Sequence, residues 1–415
     1  MELAPPGGRR GPVGFIRRAW HAAAMPRGIA ARLGRMKESG TVRITDAVGA
    51  LRRQGRDVVS LSVGEPDFET PAPVREAMKA AVDLAAQQKY GSAWGVPELR
   101  EAIARKSRVE NGMARAEAQG VLVTPAKQAI FYAILGLVDE GDEVLMPDPA
   151  WVSYEPLVEL AGGKVVRVPA TLETDFRMTP EAVAERVTPR TKLLVANSPA
   201  NPTGGVATPA DVQGWADLAR DHDFWVLSDE LYEKVLYEGD HVSPAGLGDM
   251  WERTLTVNGF SKAYAMTGSR LGWLMGDAAV MRQLVKLQQH SITHPPLYVQ
   301  AGGLAALQMD QQPVRDMVRE FRARRDLVVS ALRDVPGWTC NVPKGAFYVF
   351  ARFDHKVSSM EMAERLLHEA GVAVTPGVEF GPLGEGHVRI SYANSRENLA
   401  RALERLRDLS AKLPR

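Results

Sequence analysis

Between residues 120 and 260 the chain repeats one pattern: a short apolar run rich in Val and Leu, then a helix-length stretch with apolar residues on one face. The runs predict strands over residues 120–124, 143–146, 164–168, 191–196, 224–228 and 254–258. Helices are expected between them, over 127–138, 152–161, 180–187 and 209–220. Strands covered on both faces read as near-continuous apolar runs. The alternation therefore predicts an α/β fold, a mostly parallel sheet with helices on both sides.

The flanks are patterned differently. Residues 25–54 carry Ala30, Leu33, Met36, Ile44, Val48 and Leu51 at helical spacing. A strand over 58–63 runs into the turn Gly64-Glu65-Pro66-Asp67-Phe68, and helices follow over 73–84 and 98–109. Further on, helices are expected over 278–290, 297–309 and 314–335, the last as a spine between domains. Strands at 338–342, 346–350, 372–374 and 388–391 then interleave with helices at 359–370 and 396–409, a smaller α+β domain. The expected division is a basic, disordered extension (1–24), a segment packing with the small domain (25–69), a large domain (70–310) and a small one (311–415).

Composition changes this picture little. At 415 residues, 45% hydrophobic and 24% charged, the chain has the make-up of an ordinary globular protein, with more length than one simple core needs. A net charge of +1 gives no case for nucleic acid or a membrane surface as partner. It conceals a local +7 in residues 1–45 against −6 in the remainder. The first 24 residues are Arg-rich and lack the apolar segment of a secretory signal. They read as a transit peptide, a basic tail or translation begun upstream of Met25, with disorder or a misplaced start expected. The single cysteine, Cys340, excludes an internal disulfide and a cysteine metal cluster, and fits a reducing, cytoplasmic setting. The apolar stretch 129–138 is far below the ~20 residues of a membrane helix.

Chemistry gathers at the predicted strand ends. Ligands of a parallel α/β sheet bind just beyond the carboxyl ends of its strands. There stand Asn197 leading into Ser198-Pro199-Ala200-Asn201-Pro202-Thr203-Gly204-Gly205, Asp229 leading into Glu230-Leu231-Tyr232, and Gly259 leading into Ser261-Lys262. Pro125-Ala126-Lys127 lies at a helix N-terminus, where exposed amides attract phosphate. Trp151 sits at another strand end, and Arg270 follows Lys262 by eight residues. Each residue alone reads equally well as a cap, a turn or core. Together they meet the needs of pyridoxal phosphate: a lysine for its aldehyde, a carboxylate for its pyridine nitrogen, and amides with an arginine for its phosphate.

The chain resembles the class I/II aminotransferases of the aspartate aminotransferase superfamily (fold type I of pyridoxal phosphate enzymes), and within them the bacterial aspartate or broad-specificity branch. The carriers are Ser62–Phe68, Lys89-Tyr90-Gly91, Asn197–Gly204, Ser228–Tyr232, Ser261-Lys262 through Arg270, and Val388–Tyr392. The resemblance implies a large domain with a seven-stranded sheet and a small domain. It makes Lys262 the residue that forms the Schiff base and later moves the proton. Asp229 would pair with the pyridinium nitrogen. Asn201 and Tyr232 would bond the phenolic oxygen, and Trp151 would lie on the ring. Ala126, Lys127, Ser261 and Arg270 would serve the phosphate. Tyr90 would reach the neighbouring subunit's phosphate, making a homodimer the expected unit. Arg389 would grip the substrate α-carboxylate, with Asn201, Gly64 and Trp151 beside it. An L-amino acid, aspartate favoured, would pass its amino group to a 2-oxo acid such as 2-oxoglutarate. No metal is implied.

Two departures stand out. Pro125 replaces the usual Gly or Ser of the phosphate turn and has no amide hydrogen, and Gly259 stands where relatives often have a serine. Other reactions of the same fold, C–S β-elimination, decarboxylation or cyclopropane formation, share the carboxylate arginine. A non-enzymatic regulator would need an added DNA-binding domain, for which 24 residues are too few.

Overall fold

The computed structural model describes Gly28, residues 30–36, Glu38 and residues 40–414. The expectation for residues 1–24 lies outside them. Residues Met1–Lys37 and Glu38–Arg415 form separate units. In the first, the helix α1 (Ala31–Arg35) is described. All that follows concerns the second.

In chain order its elements begin with α2 (Gly40–Arg53), β1 (Val59–Ser60), α3 (Ala72–Val82) and α4 (Pro97–Asn111). Next come β2 (Val121–Val123), α5 (Ala126–Leu137), β3 (Glu143–Asp148), α6 (Tyr154–Ala161) and β4 (Lys164–Pro169). The alternation continues with α7 (Pro180–Ala184), β5 (Thr191–Asn197), α8 (Pro209–Asp221), β6 (Trp225–Asp229), β7 (Thr254–Gly259) and β8 (Gly272–Met275). Then follow α9 (Ala278–Gln289), α10 (Leu297–Gln308), α11 (Gln312–Arg333), β9 (Trp338–Thr339) and β10 (Tyr348–Phe353). The chain closes with α12 (Ser359–His368), β11 (Val372–Ala373), β12 (Thr375–Pro376), β13 (His387–Ser391) and α13 (Arg396–Ser410).

Seven strands form the main sheet in the order β2-β8-β7-β6-β5-β3-β4. The pairs from β7 through β4 are parallel, whereas β8 runs antiparallel to both β2 and β7. The expected α/β architecture is thus present, with one strand the hydrophobic pattern did not reveal. Gly272-Trp273-Leu274-Met275 is only four residues long, starts on glycine and follows the motif loop without a helix between. Its side chains are nevertheless fully buried. Glycine is required at 272 because a Cβ there would stand 2.7 Å from the Asn258 carbonyl and 3.0 Å from the Ala126 amide.

Helices cover both faces. One core gathers Ile130, Ala133 and Ile134 of α5 with Val144, Leu193, Leu227 and Leu255 of the strands. The opposite face packs Trp215 and Ala216 of α8 on Leu145, Leu194 and Val226. Alternate residues of one strand supply opposite layers, and each fully buried Val or Leu contributes about 1.5–3 kcal/mol.

A second sheet runs β12-β13-β10-β9, antiparallel throughout. It packs on α11 and α13 through Phe321, Val328, Leu399 and Leu403. β1 pairs with β11, so the N-terminal segment joins the C-terminal part of the chain. Two expectations are corrected here. The helical region over 25–54 is divided, α1 ending at Arg35 and α2 beginning at Gly40, where a Cβ would collide with the Glu379 carboxylate. The strand expected over 338–342 shrinks to two residues, because Cys340 onward leaves the sheet edge.

Behind β6 lies a buried ionic cluster. Ser228 and Ser243 both donate to Glu230 Oε1, at 2.9 and 2.6 Å, and His241 Nε2 stands 3.1 Å from its other oxygen. Lys106 of α4 donates to Glu233 and, at 2.6 Å, to Asn111. Burial raises the Glu233 carboxyl, but Lys106 and His241 outweigh it and hold it down at about 2. Its stabilising effect is present above the unfolded value of 4.5 and is lost as pH falls towards 2. Lys106→Met should destabilise the fold by about 3–5 kcal/mol in denaturant titrations at pH 7, because it strands Glu233. The double variant Lys106→Met/Glu233→Leu should recover most of that loss.

Candidate active site

Asp229, the last residue of β6, is buried where the parallel strands end. The Tyr154 hydroxyl, at the start of α6, donates to its Oδ2 at 2.6 Å, and the Leu231 amide donates to Oδ1 at 3.2 Å. Asn197 at the end of β5 donates to the Asp229 carbonyl at 3.1 Å, fixing the neighbouring strand end. Burial raises the Asp229 carboxyl to about 6, against the lowering effect of Tyr154. No cation bonds this carboxylate among the described residues.

Lys262 lies on the turn after β7, which Thr70 pins by donating to the Ala265 carbonyl at 2.7 Å. Its Nζ donates to the Gly64 carbonyl at 2.6 Å and stands 5.9 Å from the ring centres of Tyr232 and Phe347. Burial, helped by the charges of Arg389 and Arg270, brings the lysine down to about 8, against the pull of Glu65. A lysine near 8 is roughly a tenth unprotonated at pH 7, far more than a free lysine, and the neutral form is the one that attacks a carbonyl.

Arg389, in the middle of β13, is wholly buried and faces the same space. Nη1 donates to Asn201 Oδ1 at 2.9 Å, and Nη2 donates to the Ser62 carbonyl at 2.6 Å. Its Nε is buried with no hydrogen-bond partner among the described residues. Asn201 is itself held by its amide, which donates to Asn197 Oδ1 at 2.9 Å. The turn that carries Asn201 closes through Gly204, whose φ of +69° suits glycine. A buried guanidinium with carbonyl and amide acceptors but no carboxylate is prepared for an anionic ligand.

The phosphate cradle is partial. α5 begins at Ala126, and the amides of Ala126, Lys127 and Gln128 have no acceptor one helical turn earlier. Pro125 serves as the N-cap and contributes no donor. Ser261 is buried beside the lysine. Arg270 is exposed in a left-handed conformation, φ +53°, and donates to the Thr267 carbonyl at 3.0 Å. The Lys127 ammonium lies 5.1 Å from the Trp151 ring centre, and Trp151 meets Tyr154 edge-on at 5.2 Å. Gly259 packs on Gly272, whose Cα lies 3.0 Å from where a Cβ would be, so the strand pairing leaves little space for a side chain at that position.

The fold therefore brings Lys262, Asp229, Asn201, Tyr232, Gly64 and Arg389 into one group. Tyr90 stands apart, 91% exposed, its ring edge-on to His294. Sequence reasoning missed Tyr154, whose position three residues after Trp151 puts it on the first turn of α6. It also missed Tyr348, whose hydroxyl meets that of Tyr232 at 2.7 Å. The apolar run around Tyr348 reads as plain core.

The family profile for aminotransferase class I and II matches residues 56–406. The chain is 45% identical over 384 residues to the aspartate/prephenate aminotransferase of Thermus thermophilus, covering 91% of this chain and 98% of that one. It is 42% identical over 354 residues to aromatic-amino-acid aminotransferase 2 of Thermococcus litoralis, covering 84% and 90%. The solved structure of Thermus thermophilus aspartate aminotransferase with maleate superimposes with a TM-score of 0.87 at 44% identity, covering 92% of this chain and all of that one. With the strand-end lysine, carboxylate and buried arginine in place, this chain belongs to the class I and II aminotransferases, and it is a transaminase.

Proposed function

We propose that the protein moves the amino group of an L-amino acid, aspartate favoured, to a 2-oxo acid such as 2-oxoglutarate, with pyridoxal phosphate as its cofactor. The single observation that carries the reading is a pair of cations within one group: Lys262, whose desolvated amine donates to the Gly64 carbonyl, and buried Arg389, which has no carboxylate partner among the described residues. Relatives named for aspartate at 36–45% identity support the donor.

Pyridoxal phosphate, when bound, supplies an aldehyde that captures the amino group and a ring that takes up the electrons released at Cα. Asp229 would hold the ring nitrogen protonated, Asn201 and Tyr232 would face the phenolic oxygen, and Trp151 would cover the ring. The free amides of Ala126 and Lys127, with Ser261 and Arg270, would take the phosphate. Arg389 would bind the α-carboxylate as a fork, with Asn201 and Gly64 completing the pocket. That grip would orient Cα towards Lys262 Nζ, which would take its proton and later release it. The exposed Tyr90 is the side chain a second copy of the chain would bury, giving a homodimer with shared sites. Residues 70–310 and 311–415 would be the large and small domains, with 25–69 packing on the latter. The described residues hold no helix long and apolar enough to cross a membrane, and a cytoplasmic location is proposed with the fold.

Each donor amino acid, mixed with the loaded enzyme and no acceptor, should convert the cofactor to its amine form with one equivalent of oxo acid. Aspartate should react fastest in a screen of all twenty. Pyruvate and ammonia without spectral conversion would mean β-elimination instead. Lys262→Ala should lower turnover by at least about a thousandfold, from the loss of both attacking amine and proton carrier. In the cofactor-free protein, the rate at which Lys262 captures added cofactor should rise with pH through a midpoint of about 8, because only the neutral amine attacks. A midpoint near that of free lysine would refute the desolvated site. Sedimentation should show a species of twice the chain mass.

A further inference from the structure

Tyr348 of β10 is wholly buried and touches three members of the site at once. Its hydroxyl pairs with that of Tyr232 at 2.7 Å. Its ring face lies 4.6 Å from the Arg389 guanidinium, whose other neighbour, Phe380, stands at 4.9 Å. Its hydroxyl also occupies the space into which a Cβ at Gly64 would project, so the backbone that receives Lys262 is seated against it. The register explains the reach. β10 and β13 pair Tyr348 with Ser391 and Phe350 with Arg389, which puts Tyr348 diagonally across from the arginine. Phe347, the next residue back, meets Tyr232 edge-on at 5.4 Å and closes the phenol's other side.

These contacts have separable physical effects. A guanidinium with aromatic rings beside it is held in its plane without using further donors, and beyond the bonds to Asn201 and Ser62 the Arg389 Nε has no partner among the described residues. Either hydroxyl of the tyrosine pair can donate. Once the Tyr232 proton turns to another acceptor, Tyr348 becomes the donor of the pair, and Tyr232 becomes a stronger donor in turn because successive hydrogen bonds polarise one another. We propose that Tyr348 is a positioning residue joining the two ends of the site, its ring fixing Arg389 for the α-carboxylate and its hydroxyl strengthening the Tyr232 hydroxyl towards the cofactor oxygen. This rests on the roles proposed above for Arg389 and Tyr232.

The test uses the loaded full-length enzyme and two substitutions that divide the residue. Tyr348→Phe keeps the ring and removes the hydroxyl. The pH midpoint of the bound cofactor's visible absorbance should rise by roughly half a unit, since a weaker donor at the phenolic oxygen favours the protonated form. The dissociation constant of 2-oxoglutarate, read from the same spectrum at saturating pH, should stay within about twofold. Tyr348→Leu removes the ring as well and should weaken 2-oxoglutarate at least about tenfold. Tyr232→Phe and Arg389→Lys are the controls. If neither control moves its own readout, the proposed roles fail. If both controls respond while Tyr348→Phe leaves the midpoint unmoved, or weakens 2-oxoglutarate as much as Tyr348→Leu, the link through Tyr348 is overturned. Should Tyr348→Leu fail to fold, the Phe variant decides alone, through the midpoint shift at unchanged affinity.

Discussion

A carboxylate buried without a cation is the constraint on which the centre of the molecule depends. Asp229 at the end of β6 keeps its position because Tyr154 and the Leu231 amide donate to it, while Asn197 ties its backbone to the next strand. Neutral donors alone leave an ionised group in a medium that penalises charge, which is why burial raises this carboxyl to about 6. Such a site is unfavourable for the carboxylate alone and would be favourable beside a cationic partner. The fold tolerates it because the buried Val and Leu of the surrounding sheet contribute stability that offsets the cost.

The opposite treatment of charge lies on the other face of the same strand. Glu230 and Glu233 are balanced within the cluster by hydroxyls, His241 and Lys106. Alternation along β6 turns Ser228 to the face opposite Asp229, and Ser228 holds Glu230, the first residue beyond the strand. Two adjacent acids thereby serve different ends, one poised to receive a charge and the other already neutralised.

How far the sequence disclosed this arrangement follows from how local each signal is. Parallel strands are buried on both faces, so their Val and Leu runs are visible without knowing their neighbours, and their carboxyl ends could be listed as the place for Asn201, Asp229 and Lys262. β8 was hidden because its four residues gain their strand character from β2 and β7 on either side. Tyr154 and Tyr348 were hidden for the same kind of reason. Each lies in an apolar run, and only the packing of α6 on β6, or the diagonal between β10 and β13, turns a core aromatic into a partner of a charged group. Arg389 was legible by resemblance, yet its stacked environment was not.

The two sheets also divide the site. Lys262 and Asp229 descend from the seven-stranded sheet, whereas Arg389, Tyr348 and Phe350 belong to the four-stranded one. In the proposed reading the reactive lysine and the arginine for the incoming carboxylate therefore rest on separate frameworks, which meet at contacts that include Asn201 with Arg389, Lys262 with Gly64, Phe347 with Tyr232 and the tyrosine pair. Such a division would let the grip on the carboxylate shift with the smaller sheet while the reactive half keeps its place, so that one framework can move on the other without disturbing Lys262 or Asp229.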